Sequence, residues 1–325
     1  LLVFGAWGMG FNVASVSYLS LATELSGEKG RSGTISVMWF VMIIGIILTA
    51  AALGQMLEDY SHAALERAFL VIALASLALG LLGLWGLEKR QARAAVEDGP
   101  RRTSSRELIR GVLANPAARR FFFYLIILLA AILGQDVLLE PYGGEAFGLP
   151  VAATTRITSI WGTCVLVTLL AAGWLERRME KRSVARAGAW LAIAGFGVIA
   201  LSGLIRHTGM FYSGVVLLGL GTGLSTVANL SLMLDMTTER VGLYIGAWGM
   251  ADALARLLGT VLSGAVRDLV AFMAHNPVIG YITVFIIQAG LLLLSLRMLG
   301  RIDVQSFRRQ SQSAVERAAL LNEAS

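Results

Sequence analysis

Leu191-Ala-Ile-Ala-Gly-Phe-Gly-Val-Ile-Ala-Leu-Ser-Gly-Leu204 contains no charged residue and a single hydroxyl, Ser202. A helix of this composition is apolar on every side. It has no polar stripe at the 3.6-residue period to offer to water. Val71 to Leu87 reads the same way. Such helices belong either in the core of a large soluble protein or in lipid. Composition decides between the two. The 325 residues are 56% hydrophobic and only 15% charged, against about 25% charged in ordinary soluble domains. The mean hydropathy is +0.71. A water-soluble helical protein is excluded, because one core cannot hide that much apolar surface. The expected fold class is all-α, a polytopic membrane protein.

Spans of about 20 apolar residues are needed to cross a bilayer. Nine are expected, at roughly 1–22, 33–54, 66–87, 120–139, 153–175, 187–205, 210–234, 242–267 and 278–298. The basic residues alternate with them. One set of loops carries Lys29 and Arg31, then the cluster from Lys89 to Arg120, then Arg177 to Arg186, then Arg240, then the tail from Arg297 to Arg317. The opposite loops hold little beyond Arg67, Arg206 and Arg267. The net charge of +6 and pI near 9.8 therefore read as a topology signal rather than a nucleic-acid surface. By the positive-inside rule the C-terminal tail is expected in the cytoplasm. The single cysteine, Cys164, sits in an apolar run, where an inert thiol is expected.

An internal repeat divides the chain. Arg31-Ser-Gly33 followed by Trp39 recurs 209 positions later as Arg240-Val-Gly242 followed by Trp248. Leu19-Ser20-Leu21 similarly matches Leu230-Ser231-Leu232. Copies in the same orientation suggest two parallel bundles, an arrangement that resembles major facilitator superfamily (MFS) transporters. The expected divisions are a partial N-terminal bundle at 1–87, a basic cytoplasmic linker at 88–118, a six-helix bundle at 119–300 and a cytoplasmic tail at 301–325. The repeat places the first span level with the fourth helix of the second bundle. The nine spans are thus expected to correspond to MFS helices 4–12, with three helices preceding Leu1.

Charges inside apolar spans cost about 2.5–3.5 kcal/mol or more at mid-bilayer, so they are candidates for function. Asp252 and Arg256 lie at i, i+4 on one helical face, where they can neutralise each other. They suit a gate or coupling site, or a pair that fixes packing. Gln135 and Asp136 precede Glu140-Pro141-Tyr142-Gly143-Gly144-Glu145, with Arg156 at the start of the next span. Pro141 is expected to stop the helix, and the two glycines to allow a tight turn. Three carboxylates would then gather at an outer gate or docking edge, or simply mark a helix stop with solvated acids. Acid–arginine pairs at the basic loops, Glu24 with Arg31 and Asp235 with Arg240, suit either a latch on the inward-closed state or ordinary solvated loop charges.

Gly219-x-Gly221-x-Gly223 lies in a span with no preceding strand, so helix packing rather than phosphate binding is expected, as for Gly242-x-x-x-Gly246. No metal spacing and no catalytic triad appears; the chain is not read as an enzyme.

The stretch from Gly134 to Gly148, with Thr154-Thr-Arg-Ile-Thr158 and Trp161-Gly162, resembles the PucC/LhaA (bacteriochlorophyll delivery) family within the MFS, as does Leu21-Ala-Thr-Glu-Leu25 with Arg31. The resemblance covers essentially the whole chain. It implies a membrane assembly factor or transporter that handles (bacterio)chlorophyll in a bacterial photosynthetic inner membrane. The implied partners are antenna polypeptides, with reaction-centre or pigment-synthesis proteins beside them. The pigment would be cargo, not a tightly bound cofactor. Gln135, Asp136, Glu140, Pro141, Tyr142, Gly143, Gly144, Glu145 and Arg156 become the foremost candidates for binding or gating. His62, His207 and His275 all fall in or near loops. Weak pigment ligation is therefore expected from Gln135, Asn229, Asn12, a carboxylate, a backbone carbonyl or water. The alternative is an ordinary MFS carrier of a small solute, coupled to protons through Asp252 or Asp136.

Overall fold

With no water in the hydrocarbon layer, each backbone N–H and C=O must find a partner within its own segment, which makes helices the outcome for long apolar runs. The structure is a computed structural model. It describes residues 10, 18, 37–38, 40–84, 116–175, 178–235 and 241–301. The described residues form helices joined by short loops: α1 (Phe40–Met56), α2 (His62–Leu84), α3 (Pro116–Leu133), α4 (Leu139–Phe147), α5 (Val151–Leu175), α6 (Lys181–Ile205), α7 (Thr208–Asp235), α8 (Val241–Ala274) and α9 (Pro277–Gly300). Six of them (α2 and α5 to α9) contain stretches long and apolar enough to cross a membrane. The expected all-helical class holds. The span expected at 1–22 lies outside the described residues apart from Gly10 and Tyr18.

Several boundaries differ from expectation by a few residues, and two departures matter for the site. The span expected at 120–139 is two helices, α3 and α4, separated by a turn at 134–138. The last but one span runs on to Ala274. Its 34 residues are about 51 Å of helix at 1.5 Å per residue. That exceeds a hydrocarbon layer of about 30 Å, so at least one end of α8 projects into the headgroups.

Helices α5, α6 and α7 pack together, and α9 joins α6 to a second group made by α3, α8 and itself. Helix α7 is held on both sides by glycine. A Cβ on Gly219 would sit 2.7 Å from Cβ of Cys164 and 2.8 Å from the Trp161 carbonyl on α5. On the other side, a Cβ on Gly221 would sit 2.5 Å from the Ala192 nitrogen on α6. Backbone meets backbone at these points, so the expected packing role of the 219–223 glycines is met. The surroundings of Gly242 and Gly246 lie outside what the structure describes.

The apolar surface follows the membrane reading. Helix α2 is almost bare, with Phe69, Leu74, Leu79 and Leu82 exposed, and Leu257, Val261, Leu269 and Phe272 do the same on α8. Helix α1 touches α5. Ser159 Oγ donates to the Ile47 carbonyl at 3.2 Å, and Ile47 Cγ1 fills the space over Gly162.

At the end of the bundle that carries loops 148–150, 206–207 and 275–276, hereafter the short-loop end, caps fix the chain direction. Gly148 takes a left-handed φ of 64° and ends α4. Asn276 starts α9, its side chain accepting from the Val278 N–H, with Pro277 at the first helical position. Asn276→Ala is expected to destabilise the bundle by about 1 kcal/mol. A thermal-unfolding series in detergent checks this, with Asn276→Ser holding at the parent value.

Candidate functional site

Pro141 decides the shape of the site. It has no N–H to donate to the Val137 carbonyl, and its ring crowds that carbonyl, so one uninterrupted helix from 116 to 147 is disfavoured. The chain responds one turn earlier. Gly134 N–H still bonds to Ala130 O at 3.0 Å, Asp136 N–H bonds to Leu133 O at 3.1 Å, and Leu138 and Leu139 N–H both bond to Gln135 O. Helix α4 then starts with Pro141 in its first turn, where a missing donor costs nothing.

This corrects the expectation of a helix stop at Pro141 with a tight turn at Gly143-Gly144. Both glycines are inside α4, and the left-handed residue is Gly148. Gly143 is small because a Cβ there would meet Ile157 Cδ1 at 3.0 Å and Thr154 Cγ2 at 3.3 Å.

Tyr142 is fully buried. Phe147, Phe211, Tyr281 and Phe285 surround its ring with centroids 5.1–5.6 Å away. Its hydroxyl donates to the Ile199 carbonyl at 3.0 Å and occupies the place where Gly203 would carry a side chain. Tyr142 therefore anchors α4 to α6, α7 and α9 and is closed to any ligand.

The polar residues of the turn face α8. Gln135 is 2% exposed. Its Nε2 donates to Asp136 Oδ1 at 2.6 Å, and its Oε1 has no partner. Asp136 Oδ2 lies 3.8 Å from Arg256 Nη1. Arg256 Nε donates to Asp252 Oδ2 at 3.0 Å. One guanidinium thus faces two carboxylates, one from the broken span and one from its own helix, and all three are part-exposed. Gly259 lets α8 come this close: a Cβ there would lie 2.6 Å from Ala130 O and 3.2 Å from Gly134 N. Gly134 in turn faces Ser263 and Gln288, whose side chains are 3.3 Å apart.

A second contact lies at the short-loop end. Arg267 Nη2 is 2.7 Å from Glu145 Oε1 and 2.7 Å from the Tyr281 hydroxyl. Arg267 Nη1 is 2.7 Å from Asp268 Oδ1. Tyr281 donates to the same Glu145 oxygen at 3.0 Å. Arg256 and Arg267 are eleven positions apart, which is about three turns and one face of α8. The broken span is therefore tied to α8 at two levels, with the Gly134–Gly259 contact near the first.

The three carboxylates expected at one gate do not converge. Asp136 faces Arg256, Glu145 faces Arg267, and Glu140 accepts from the Thr158 hydroxyl on α5. Glu140 and Glu145 are five positions apart, about 140° around the helix. Arg156 joins none of them among the described residues; it lies over Gly54, where a Cβ would sit 2.8 Å from its Cγ. It marks the α1–α5 seam instead. Asn229 is buried, accepts from the Tyr124 hydroxyl at 2.7 Å and donates to Ser225 O at 2.7 Å. Both ends of its amide are satisfied, so it ties α3 to α7 and is closed to a pigment metal.

Glu24, Arg31, Arg240 and Asn12 lie outside the described residues, as does the side chain of Asp235, the last residue of α7. His207 Nδ1 accepts from the Met210 N–H at 3.0 Å, and His275 stacks on Phe272 in the α8–α9 loop. Arg267 falls at the edge of its expected span, and nothing local in the sequence singles out Tyr281, Ser263 or Gln288. The eleven-residue interval from Arg256 was the signal available for Arg267.

Residues 1–307 match the family described as PUCC protein. The chain belongs to that family. As a PUCC-family member it is 32% identical to the protein PucC of Rhodobacter capsulatus, over 91% of this chain and 66% of that one. It is 31% identical to an uncharacterised R. capsulatus protein of the puhA-bchM intergenic region, over 90% of this chain and 64% of the other. A third relative, named bacteriochlorophyll synthase 44.5 kDa chain in the same species, is 28% identical over 81% of this chain and 62% of its own length. The chain thus spans just under two thirds of these relatives. A bacterial homologue of the human lysosomal transporter Spinster, solved inward-facing and unoccupied, aligns with a TM-score of 0.60 at 14% identity, over 86% of this chain and 72% of that one. That likeness shows the fold, which is of the MFS type. The PUCC-family chain is a multi-pass bacterial membrane protein.

Proposed function

We propose that this chain is a membrane assembly factor that handles (bacterio)chlorophyll and promotes the building of light-harvesting antenna complexes. The family match over residues 1–307 carries the reading, together with relatives whose names join PucC and bacteriochlorophyll synthesis. The geometry supports it in one respect. The Gln135–Glu145 segment splits into a buried half that anchors α4 and a polar half that faces α8. The polar half is the working surface in this reading, with antenna polypeptides as partners and pigment as cargo.

No described histidine sits within a membrane-crossing stretch except His62, the first residue of α2. Ligation of a pigment metal would fall to weak oxygen donors, which suits a carrier that must release what it holds. Of the two described amides in that set, Gln135 has a buried, unpartnered Oε1, whereas Asn229 is already engaged; Asn12, the carboxylates, backbone carbonyls and water stay in the set. The division at 88–118, the cytoplasmic tail and the inner-loop pairs of Glu24 with Arg31 and Asp235 with Arg240 belong to the same proposal.

Purification from a phototroph in mild detergent tests it. Pigment absorbance or antenna subunits are expected to co-purify. A preparation that restores antenna assembly in a deletion strain, yet brings down neither, sinks the reading.

The shared Arg256 supports a second reading, a proton-coupled solute carrier. Two carboxylates around one arginine leave one negative charge unmatched, and a proton can balance it. Solute uptake into liposomes that is lost in Asp252→Asn would favour the carrier over the assembly factor.

A further inference from the structure

The Glu145–Arg267 contact borders a cavity of about 310 Å³ at the short-loop end, between α4, α8 and α9. One wall is apolar: Val137, Leu138 and Pro141. The other carries Glu145, Arg267, Asp268 and Tyr281. We infer that this cavity binds the headgroup of a zwitterionic membrane lipid with a primary ammonium, of the phosphatidylethanolamine type.

Three observations lead there, none of which depends on the pigment reading. The first is depth. Asp268 is six residues before the end of α8, about 9 Å along the axis. That is headgroup depth for a helix that overruns the hydrocarbon layer. The second is the unspent hydrogen-bonding capacity. Glu145 uses Oε1 for both Arg267 and Tyr281, and Asp268 uses Oδ1 for Arg267. Among the described residues Glu145 Oε2 and Asp268 Oδ2 have no donor, and Asp268 is 71% exposed. Two carboxylates stand against one guanidinium, so the mouth has an excess negative charge and asks for a cationic donor. Arg267 lines the same cavity, and a phosphate oxygen is an acceptor that a guanidinium takes well. One ligand supplies both groups a few ångströms apart: a phosphate ester bearing an ammonium. The third is the apolar wall. It includes Val137, which is exposed on the broken span and offers a surface for acyl chains. The volume suits a headgroup and not a whole large ligand.

The test is lipid retention by the full chain, read by native mass spectrometry after reconstitution with defined lipid mixtures. Phosphatidylethanolamine is expected to be retained about ten-fold more than phosphatidylcholine, whose quaternary nitrogen has no N–H to donate. Phosphatidylglycerol, which lacks the cation, is expected to follow phosphatidylcholine. Asp268→Asn, at an exposed position where folding is not at stake, is expected to reduce the preference to within about two-fold. Equal retention of the lipids by the parent chain would overturn the inference with no variant needed. A preference unchanged in Asp268→Asn would overturn it as well. Soluble phosphoethanolamine separates a membrane lipid from a free headgroup: failure to displace the lipid supports the site as argued, and full displacement removes the role of the apolar wall.

Discussion

Gly203→Ala is expected to lower the stability of the bundle by about 3 kcal/mol, the upper range for overpacking by one methyl group. The new Cβ would land on the Tyr142 hydroxyl. A flexible neighbour would step aside, but Tyr142 is boxed in by the rings of Phe147, Phe211, Tyr281 and Phe285. It is also held by its bond to Ile199 O. Tyr142→Phe alone loses that bond and should cost about 1 kcal/mol. In the double variant the colliding oxygen is gone, and the ring carbon is left at 3.0 Å from the new Cβ. The double variant should therefore be about 1 kcal/mol less stable than Tyr142→Phe, a coupling of about 2 kcal/mol between the two sites. Thermal melting of the four proteins in one detergent reads it. Additive costs would show that α4 is not anchored through this contact.

That contact shows how far the sequence could be read. Apolar runs such as Leu191 to Leu204 announce lipid-facing helices because the hydrocarbon layer leaves the backbone no other choice. Segment type and approximate span position were thus legible, as was the packing role of Gly219 to Gly223. The break in the 116–147 segment was legible only as a disturbance at Pro141. A proline forbids one hydrogen bond, but the chain bends a turn earlier, at Gly134, where a Cβ would collide with Ser263 and Gln288 and where Gly259 has no Cβ to block the approach. Those neighbours are more than 120 positions away in sequence, so no local rule could locate the bend. The same holds for the carboxylates. Asp136, Glu140 and Glu145 look like one cluster in sequence, but helical rotation sends them to α8, α5 and α8 again at two levels. The pair Asp252–Arg256 was legible because i, i+4 spacing is local. That Arg256 is shared with Asp136 was not, since it depends on how closely α3 and α8 approach at Gly259.

The shared arginine gives the largest functional expectation. Among the described residues, Arg256→Gln removes the only cation paired with Asp136 and Asp252. Two carboxylates would then face each other within a membrane-embedded bundle, where an unpaired charge is costly. Antenna assembly in a deletion strain carrying this variant is expected to fall by more than about ten-fold, since each 1.4 kcal/mol is a factor of ten. Arg256→Lys keeps the charge but has no planar fork to span two acceptors, so an intermediate level is expected. The informative strain carries Asp136→Asn with Arg256→Gln. Local charge is then the same as in the parent, one net negative, while the bridge between the broken span and α8 is gone. If the triad serves only to neutralise charge, this strain recovers both protein level and assembly. If the bridge between the two helices is itself part of the working cycle, protein level recovers and assembly stays low. We expect the second outcome, because Arg256 reaches across to the broken span at the point where Gly134 and Gly259 bring the two helices closest. Immunoblots of the membranes beside antenna absorbance separate the two in the same cultures.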